Sequence, residues 1–188
     1  MKKSYILLSK WDQLEAEFVK ALRGHHLLFN IFNFSGYLDA LRKAREEQGI
    51  NYPKGKNIKN IPKDVVTYLL TEEITGRKGT DVPLILSGLN CQENHLDLAV
   101  NIITSNGFQK PEIIHLSLSV MDCFRKKIEQ DRANNRYCKN ERDIFSDNLQ
   151  DIDNLHSRMI ARAKRLGLEV RRIADPSKDL ELDSGLCA

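Results

Sequence analysis

Apolar residues in this chain come in short runs separated by longer amphipathic stretches, and that alternation predicts the architecture. Tyr5-Ile6-Leu7-Leu8 is an unbroken apolar run of strand length. From Trp11 to Arg23, Leu14, Phe18, Ala21 and Leu22 recur at helical spacing with charge opposite, and Gly24 ends the pattern. His26 to Phe32 reads as a second strand, and Tyr37 to Gln48 as a second helix stopped by Gly49. Asn51 to Asn60, rich in Lys, Asn and Gly, reads as a loop, and Pro62 suits the first turn of a helix over Lys63 to Ile74. Val82 to Leu86 is a third apolar run, followed by a helix over Asp97 to Ile103 that ends near Gly107. Ile113 to Leu118 is the fourth strand. A helix over Asp122 to Arg132, a polar loop over Ala133 to Arg142, a long helix over Phe145 to Leu166 and a fifth strand over Leu168 to Ile173 complete the pattern.

Short strands alternating with helices join in parallel through right-handed crossovers. The expected fold is therefore α/β, a three-layer α/β/α sandwich around a five-stranded parallel sheet. It forms one domain over residues 1–175, with a lid-like loop at about 133–143 and a C-terminal tail over 176–188. A chain of 188 residues is long enough to bury roughly two-thirds of its unfolded surface around one core.

Composition narrows the function classes only slightly. Hydrophobic residues at 41% and charged residues at 29% describe a globular protein rather than a disordered or membrane-embedded one. The net charge of +3 is far from the concentrated Lys/Arg field of a nucleic-acid binder, so nucleic acid is not an expected partner. The longest apolar run, Leu27 to Phe34, is interrupted by Asn30 and Asn33 and is far shorter than the roughly 20 residues of a spanning helix. After Met1-Lys2-Lys3-Ser4 only four apolar residues precede Ser9 and Lys10, too few for a signal-peptide core. A cytoplasmic location is expected, without a membrane partner. Cys91, Cys123, Cys138 and Cys187 show no CxxC spacing and are expected as reduced thiols.

In open parallel sheets, ligands bind beyond the carboxyl ends of the strands. Features near those ends, in order, resemble the adenylate kinase branch of the nucleoside monophosphate kinases. They are the Tyr5 to Leu8 strand, Ser35-Gly36 followed by Leu41-Arg42, Ile61-Pro62-Lys63-Asp64-Val65-Val66, Leu84-Ile85-Leu86-Ser87-Gly88, and Ile113 to Ser119 with a Met121-Asp122 turn. The likeness covers residues 4–175 and is most specific at Ile61 to Leu70, which looks like the family's VPDEVV followed by two leucines. It implies a P-loop nucleotide kinase-like fold and a Mg-dependent transfer of phosphate from ATP to a nucleoside monophosphate.

The residues that would perform that transfer are largely replaced. The family's GxxxxGK[ST] loop lets backbone N–H groups and one Lys surround the donor phosphates. Here the sequence is Leu8-Ser9-Lys10-Trp11-Asp12-Gln13-Leu14, with no glycine before Gly24, and Lys10 is the only nearby cation. Ser9 to Asp12 reads instead as a capped strand-to-helix turn. The family's DGxPR reads Ser87-Gly88-Leu89-Asn90-Cys91, which removes both a metal-shell Asp and a phosphate-clamping Arg. The base-reading glutamine falls at His95, expected as a helix-surface histidine. On the acceptor side, Ser35-Gly36 stands for the family's Thr-Gly, and Arg42 for its phosphate-binding Arg, displaced by two residues. Lys127, Arg132, Arg136 and Arg142 surround the lid-like loop, with Arg142-Asp143 resembling the lid-closing Arg-Asp.

Other chemistry finds less support. His25 and His26 are adjacent and, on a strand, face opposite ways, so they do not share a metal ion. Cys91 at a helix start has no sequence-adjacent base to activate it, and Tyr137 alone is a thin stacking platform for RNA. The expectation is a degenerate nucleotide-kinase-like protein, non-catalytic, binding a nucleotide or other anion or a protein partner. Lys10, Ser35, Gly36, Arg42, Lys127, Arg132, Arg136 and Arg142 are its candidate phosphate-binding residues. The alternative is a divergent nucleoside monophosphate kinase, with ATP and Mg²⁺ as its cofactors.

Overall fold

A computed structural model describes residues 2–24, 28–47, 63–89, 93–134 and 139–176. Among the described residues five strands and six helices follow in the order β1 (Ser4–Leu8), α1 (Asp12–Gly24), β2 (Asn30–Asn33), α2 (Phe34–Glu47), α3 (Lys63–Gly76), β3 (Leu84–Ser87), α4 (Asn94–Ser105), β4 (Glu112–Leu116), α5 (Val120–Ala133), α6 (Lys139–Arg165) and β5 (Val170–Ile173). The strands form one all-parallel sheet in the order β2-β3-β1-β4-β5. The α/β fold and the five parallel strands are as expected.

Because strand side chains alternate between faces, β1 feeds two cores. Ile6 and Leu8 pack on one face with Phe32, Leu84, Leu86 and Ile113, beneath Val66, Leu70 and Ile74 of α3 and Leu96, Ala99 and Ile103 of α4. Tyr5 and Leu7 pack on the other with Ile85, Ile114 and Leu116, beneath Leu14, Phe18 and Leu22 of α1. Both faces are covered, which is why the strands are continuously apolar rather than alternating.

The long helix α6 belongs to both cores. Phe145 and Leu149 join the α1 side, whereas Leu155, Met159, Ile160 and Ala163 join the α3–α4 side. Between the two groups stands Asp153, which reaches Lys10, two residues beyond β1, so the helix passes the carboxyl ends of the central strands as it changes layer. Its last turn is basic, and Gly167 beyond it takes φ 66°, a conformation that stops the helix.

Some boundaries differ from expectation. The second strand begins at Asn30, whose backbone N–H donates to the Pro83 carbonyl at 2.8 Å, so Leu28 and Phe29 of the expected run precede it and His26 and Leu27 lie outside the described residues. The expected polar loop over 133–142 is shorter: α5 runs to Ala133, and Lys139 to Arg142 already belong to α6. Met121-Asp122 is not a turn but the first turn of α5. Ser119 caps that helix, accepting from the Asp122 backbone N–H at 3.0 Å and donating to the Asp122 carboxylate at 2.6 Å. The expected loop over 51–60, the loop tip at 135–138 and the tail from Ser177 onward lie outside the described residues, as do Cys91, Cys138 and Cys187.

Candidate functional site

The chain leaves β1 toward one side of the sheet and leaves β4 toward the other, so the crevice between the carboxyl ends of these adjacent strands is where a ligand site is expected. Only Ser9, Lys10 and Trp11 separate β1 from α1. That is too few to wrap a polyphosphate as a GxxxxGK[ST] loop does, with four residues between its glycines. The three residues instead form a closed turn. The Ser9 hydroxyl donates to the Trp11 carbonyl at 2.8 Å, and the Leu14 backbone N–H donates to the same carbonyl at 3.0 Å. The expected strand-to-helix turn is present, closed by the Ser9 hydroxyl.

Lys10 points across the crevice. Its ammonium donates to the Leu118 carbonyl, beyond the end of β4, at 2.8 Å and pairs with the Asp153 carboxylate of α6 at 2.5 Å. The Lys10 side chain is 4% exposed and that of Asp153 33%. The ion pair is therefore dry on the lysine side and wet on the aspartate side. Trp11 packs edge-on against Phe145 of α6, with centroids 5.6 Å apart, so the same helix is held at two points over the crevice.

Two histidines complete this cluster. His115 of β4 lies opposite Leu8 of β1 and Arg172 of β5, and its ring meets His156 of α6 edge-on with centroids 5.7 Å apart. His115 is 8% exposed and His156 is fully buried. Burial, with the positive charges of Lys10 and Arg172 nearby, lowers the His115 pKa from 6.5 to about 4. Burial first, then His115 and Lys10, lowers that of His156 to about 3. Both are neutral at pH 7. Cys123 of α5 is buried close by, and burial pushes its thiol pKa up, so it is an inert reduced thiol.

On the other flank of β1, the carboxyl ends of β3 and β2 are tied into a polar knot. Glu15 of α1 accepts from the Ser87 hydroxyl at 2.7 Å and from the Asn33 amide at 2.8 Å. Asn33 in turn accepts at its Oδ1 from the Gly36 backbone N–H at 2.7 Å and from the Ser35 hydroxyl at 3.0 Å, capping α2. Gly88 follows β3 at φ 74°, and a Cβ there would stand 2.6 Å from Ser35 Oγ and 2.7 Å from the Ser35 backbone N. Glycine is therefore required at this position both for its conformation and for the close approach of two chain segments. The Ser87 hydroxyl is spent on Glu15.

The candidate residues thus fall into three places. Ser35 and Gly36 meet at the start of α2, on Asn33. Lys10 turns away from them to α6. Lys127 and Arg132 lie on α5, where Lys127 pairs with Asp131 at 2.6 Å and Arg132 is exposed. Arg42 and Arg142 are placed on α2 and α6 by their backbone only, and Arg136 lies outside the described residues, as do His25 and His26. His95 corrects an expectation: it is not on the helix surface but 1% exposed, on the inner side of α4 beside Leu96 and Ala99, and its pKa is lowered by burial.

Glu15, Asn33, Asp153, His115 and His156 were not singled out from sequence. A signal existed for two of them. His115 alternates with Ile113 in an apolar run, and His156 follows Asp153 by three residues, on one helix face with Met159 and Ile160.

No family model matches the chain, and no curated protein matches it. Among solved structures it is similar to two de novo designed proteins of the P-loop NTPase fold, both determined by solution NMR. One aligns at TM-score 0.46 with 12% identity, the other at TM-score 0.43 with 13%, each over 97% of this chain and 87% of the designed one.

Proposed function

We propose that this chain is a non-catalytic binding module on a nucleotide-kinase-like α/β scaffold, in which the donor-phosphate position has become part of the protein's own packing. The observation that carries this reading is the Lys10–Asp153 ion pair beneath α6. A phosphate-binding lysine must offer its charge to the ligand, and phosphoryl transfer rests almost wholly on such positioned charges. Here the charge is neutralised internally, and the carboxylate of Glu15 occupies the neighbouring strand ends, where it repels rather than attracts an anion.

What remains for an anion is Arg42 on α2 with Lys127, Arg132, Arg136 and Arg142 in and beside residues 133–143, since the Ser35 hydroxyl and the Gly36 N–H are already donated to Asn33. A monophosphate or similar small anion fits that set better than a triphosphate. A protein partner is the other half of the reading. Leu28, Tyr68, Met121 and Val65 are large apolar side chains at the surface, and Tyr68 and Val65 share one side of α3.

Isothermal titration at low salt with ATP, AMP and a bisubstrate dinucleotide polyphosphate, with and without Mg²⁺, tests the proposal. The expected result is no Mg-dependent heat with ATP or the bisubstrate, and at most weak, salt-sensitive binding of AMP. Micromolar, Mg-dependent binding of the bisubstrate that disappears in Lys10→Ala would overturn it in favour of a divergent nucleoside monophosphate kinase.

A further inference from the structure

The histidine pair takes no part in the binding proposed above, and its surroundings are unusual for buried imidazoles. His115 has no hydrogen-bond partner for either ring nitrogen among the described residues. Facing it are His156 and Asp153 from α6, Lys10 from the turn after β1, and Arg172 from β5. Cys123 of α5, with Asp122 and Lys126 beyond it, borders the same Lys10–Asp153 pair. Among the described residues, Lys10 and Arg172 bring positive charge to His115 and Asp153 brings negative charge, while both histidines are neutral. Each proton added to the pair places a further positive charge beside Lys10, in a site with little water to screen it.

We propose that His115 and His156, edge-on between β4 and α6 beside the Lys10–Asp153 ion pair, form an acid-sensitive latch that releases residues 145–156 of α6 from the carboxyl ends of β1 and β4 when they take up protons. The charges are arranged so that this helix moves first. His115, Lys10 and Arg172 are carried by the sheet and its adjoining turn, whereas His156 and Asp153 are carried by α6. The end of α6 beyond His156 is held separately, because Arg162 donates to both carboxylate oxygens of Asp97 on α4, at 3.0 and 2.6 Å. The part of α6 up to His156 has Phe145 on Trp11, the buried Leu149 and the Asp153 pair. Release would open the crevice between β1 and β4 and free Lys10.

The sign follows from linkage. Each histidine binds its proton less readily docked than free, so the docked state is favoured fully above pH 6.5 and loses ground as pH falls through that value toward the docked pKa. With a free pKa of about 6.5 and docked values of about 4 and about 3, protonation favours release by roughly 30-fold per histidine at pH 5. The two together give on the order of 10³-fold if they act independently.

Trp11 is the only tryptophan and touches Phe145 directly, so its fluorescence reports α6 docking in the full chain. Titration from pH 7.5 to 4.5 should give a reversible change in Trp11 emission with a midpoint below 6.5, while far-UV circular dichroism keeps its sheet and helix signal. The His115→Leu/His156→Leu double variant should move that midpoint down by at least one pH unit. A transition unmoved in a folded double variant overturns the latch, as does loss of secondary structure in step with the Trp11 change. Imidazole pKa values from NMR titration of the unaltered protein decide the matter should the variant not fold. Values well below 6.5 coupled to the Trp11 change support the latch, and titration near 6.5 with no Trp11 change overturns it.

Discussion

The two flanks of β1 close the same end of the sheet by different physics. Between β1 and β4 the closure is ionic and buried: one lysine, one aspartate and two neutral histidines under a crossing helix. Between β1 and the β3–β2 pair it is a hydrogen-bonded knot, in which Glu15 and Asn33 share Ser87, Ser35 and the Gly36 backbone, and Gly88 lets two segments touch. The first depends on charge balance, so removing the aspartate strands the lysine charge in a dry site. The second depends on fit and on satisfied polar atoms, so it is sensitive to volume and much less to charge.

The largest effect should come from fit. Gly88→Ala places a methyl against Ser35 at a backbone angle that L-residues rarely adopt, and should cost about 3–4 kcal/mol of stability, measured by urea unfolding. Asp153→Ala should follow at about 3 kcal/mol, because it leaves the Lys10 ammonium buried without a counter-charge. Lys10→Met sharpens the contrast. It removes the charge and keeps the volume, and the remaining Asp153 is a third exposed to water, so a loss below about 1 kcal/mol is expected. If Lys10→Met proved as damaging as Asp153→Ala, the ionic account of this flank would be wrong.

Smaller effects separate hydrogen bonding from charge in the knot. Glu15→Ala leaves the Ser87 hydroxyl and the Asn33 amide without their acceptor and should cost about 2 kcal/mol. Glu15→Gln keeps an acceptor oxygen in place and should cost about 1 kcal/mol or less. Near-equal losses for these two variants, compared by thermal unfolding, would show that charge rather than bonding holds this flank. The ionic flank should also weaken with acid from pH 6.5 downward, because both of its histidines have docked pKa values below their free value.

Period and punctuation carried most of the architecture. Five apolar runs of strand length, separated by stretches at helical spacing, imply a layered parallel sheet, since a strand apolar on both faces must be covered on both. Edges were less legible. The run from His26 looks like a strand from its composition, yet pairing begins at Asn30, because a strand needs a neighbour as well as apolar side chains. The start of α6 was hidden among polar residues, whose helical spacing has no apolar stripe to reveal it.

That the turn after β1 is not a polyphosphate loop was also readable, because a glycine-free Ser9-Lys10-Trp11 does not readily take the backbone path that a polyphosphate requires. What Lys10 does instead was not readable. Its partners are Leu118 and Asp153, more than a hundred residues away, and nothing local distinguishes a lysine aimed at a ligand from one aimed at a carboxylate. The burial of His95, His115 and His156 has the same origin. A histidine's place in a strand or helix follows from local spacing, but whether water reaches it depends on which element packs above. In this protein the helix that does so changes layer midway and crosses the very strand ends where a ligand would otherwise sit. The chain sequence set the layers through short-range periodicity, and long-range packing decided what closes the crevice between them.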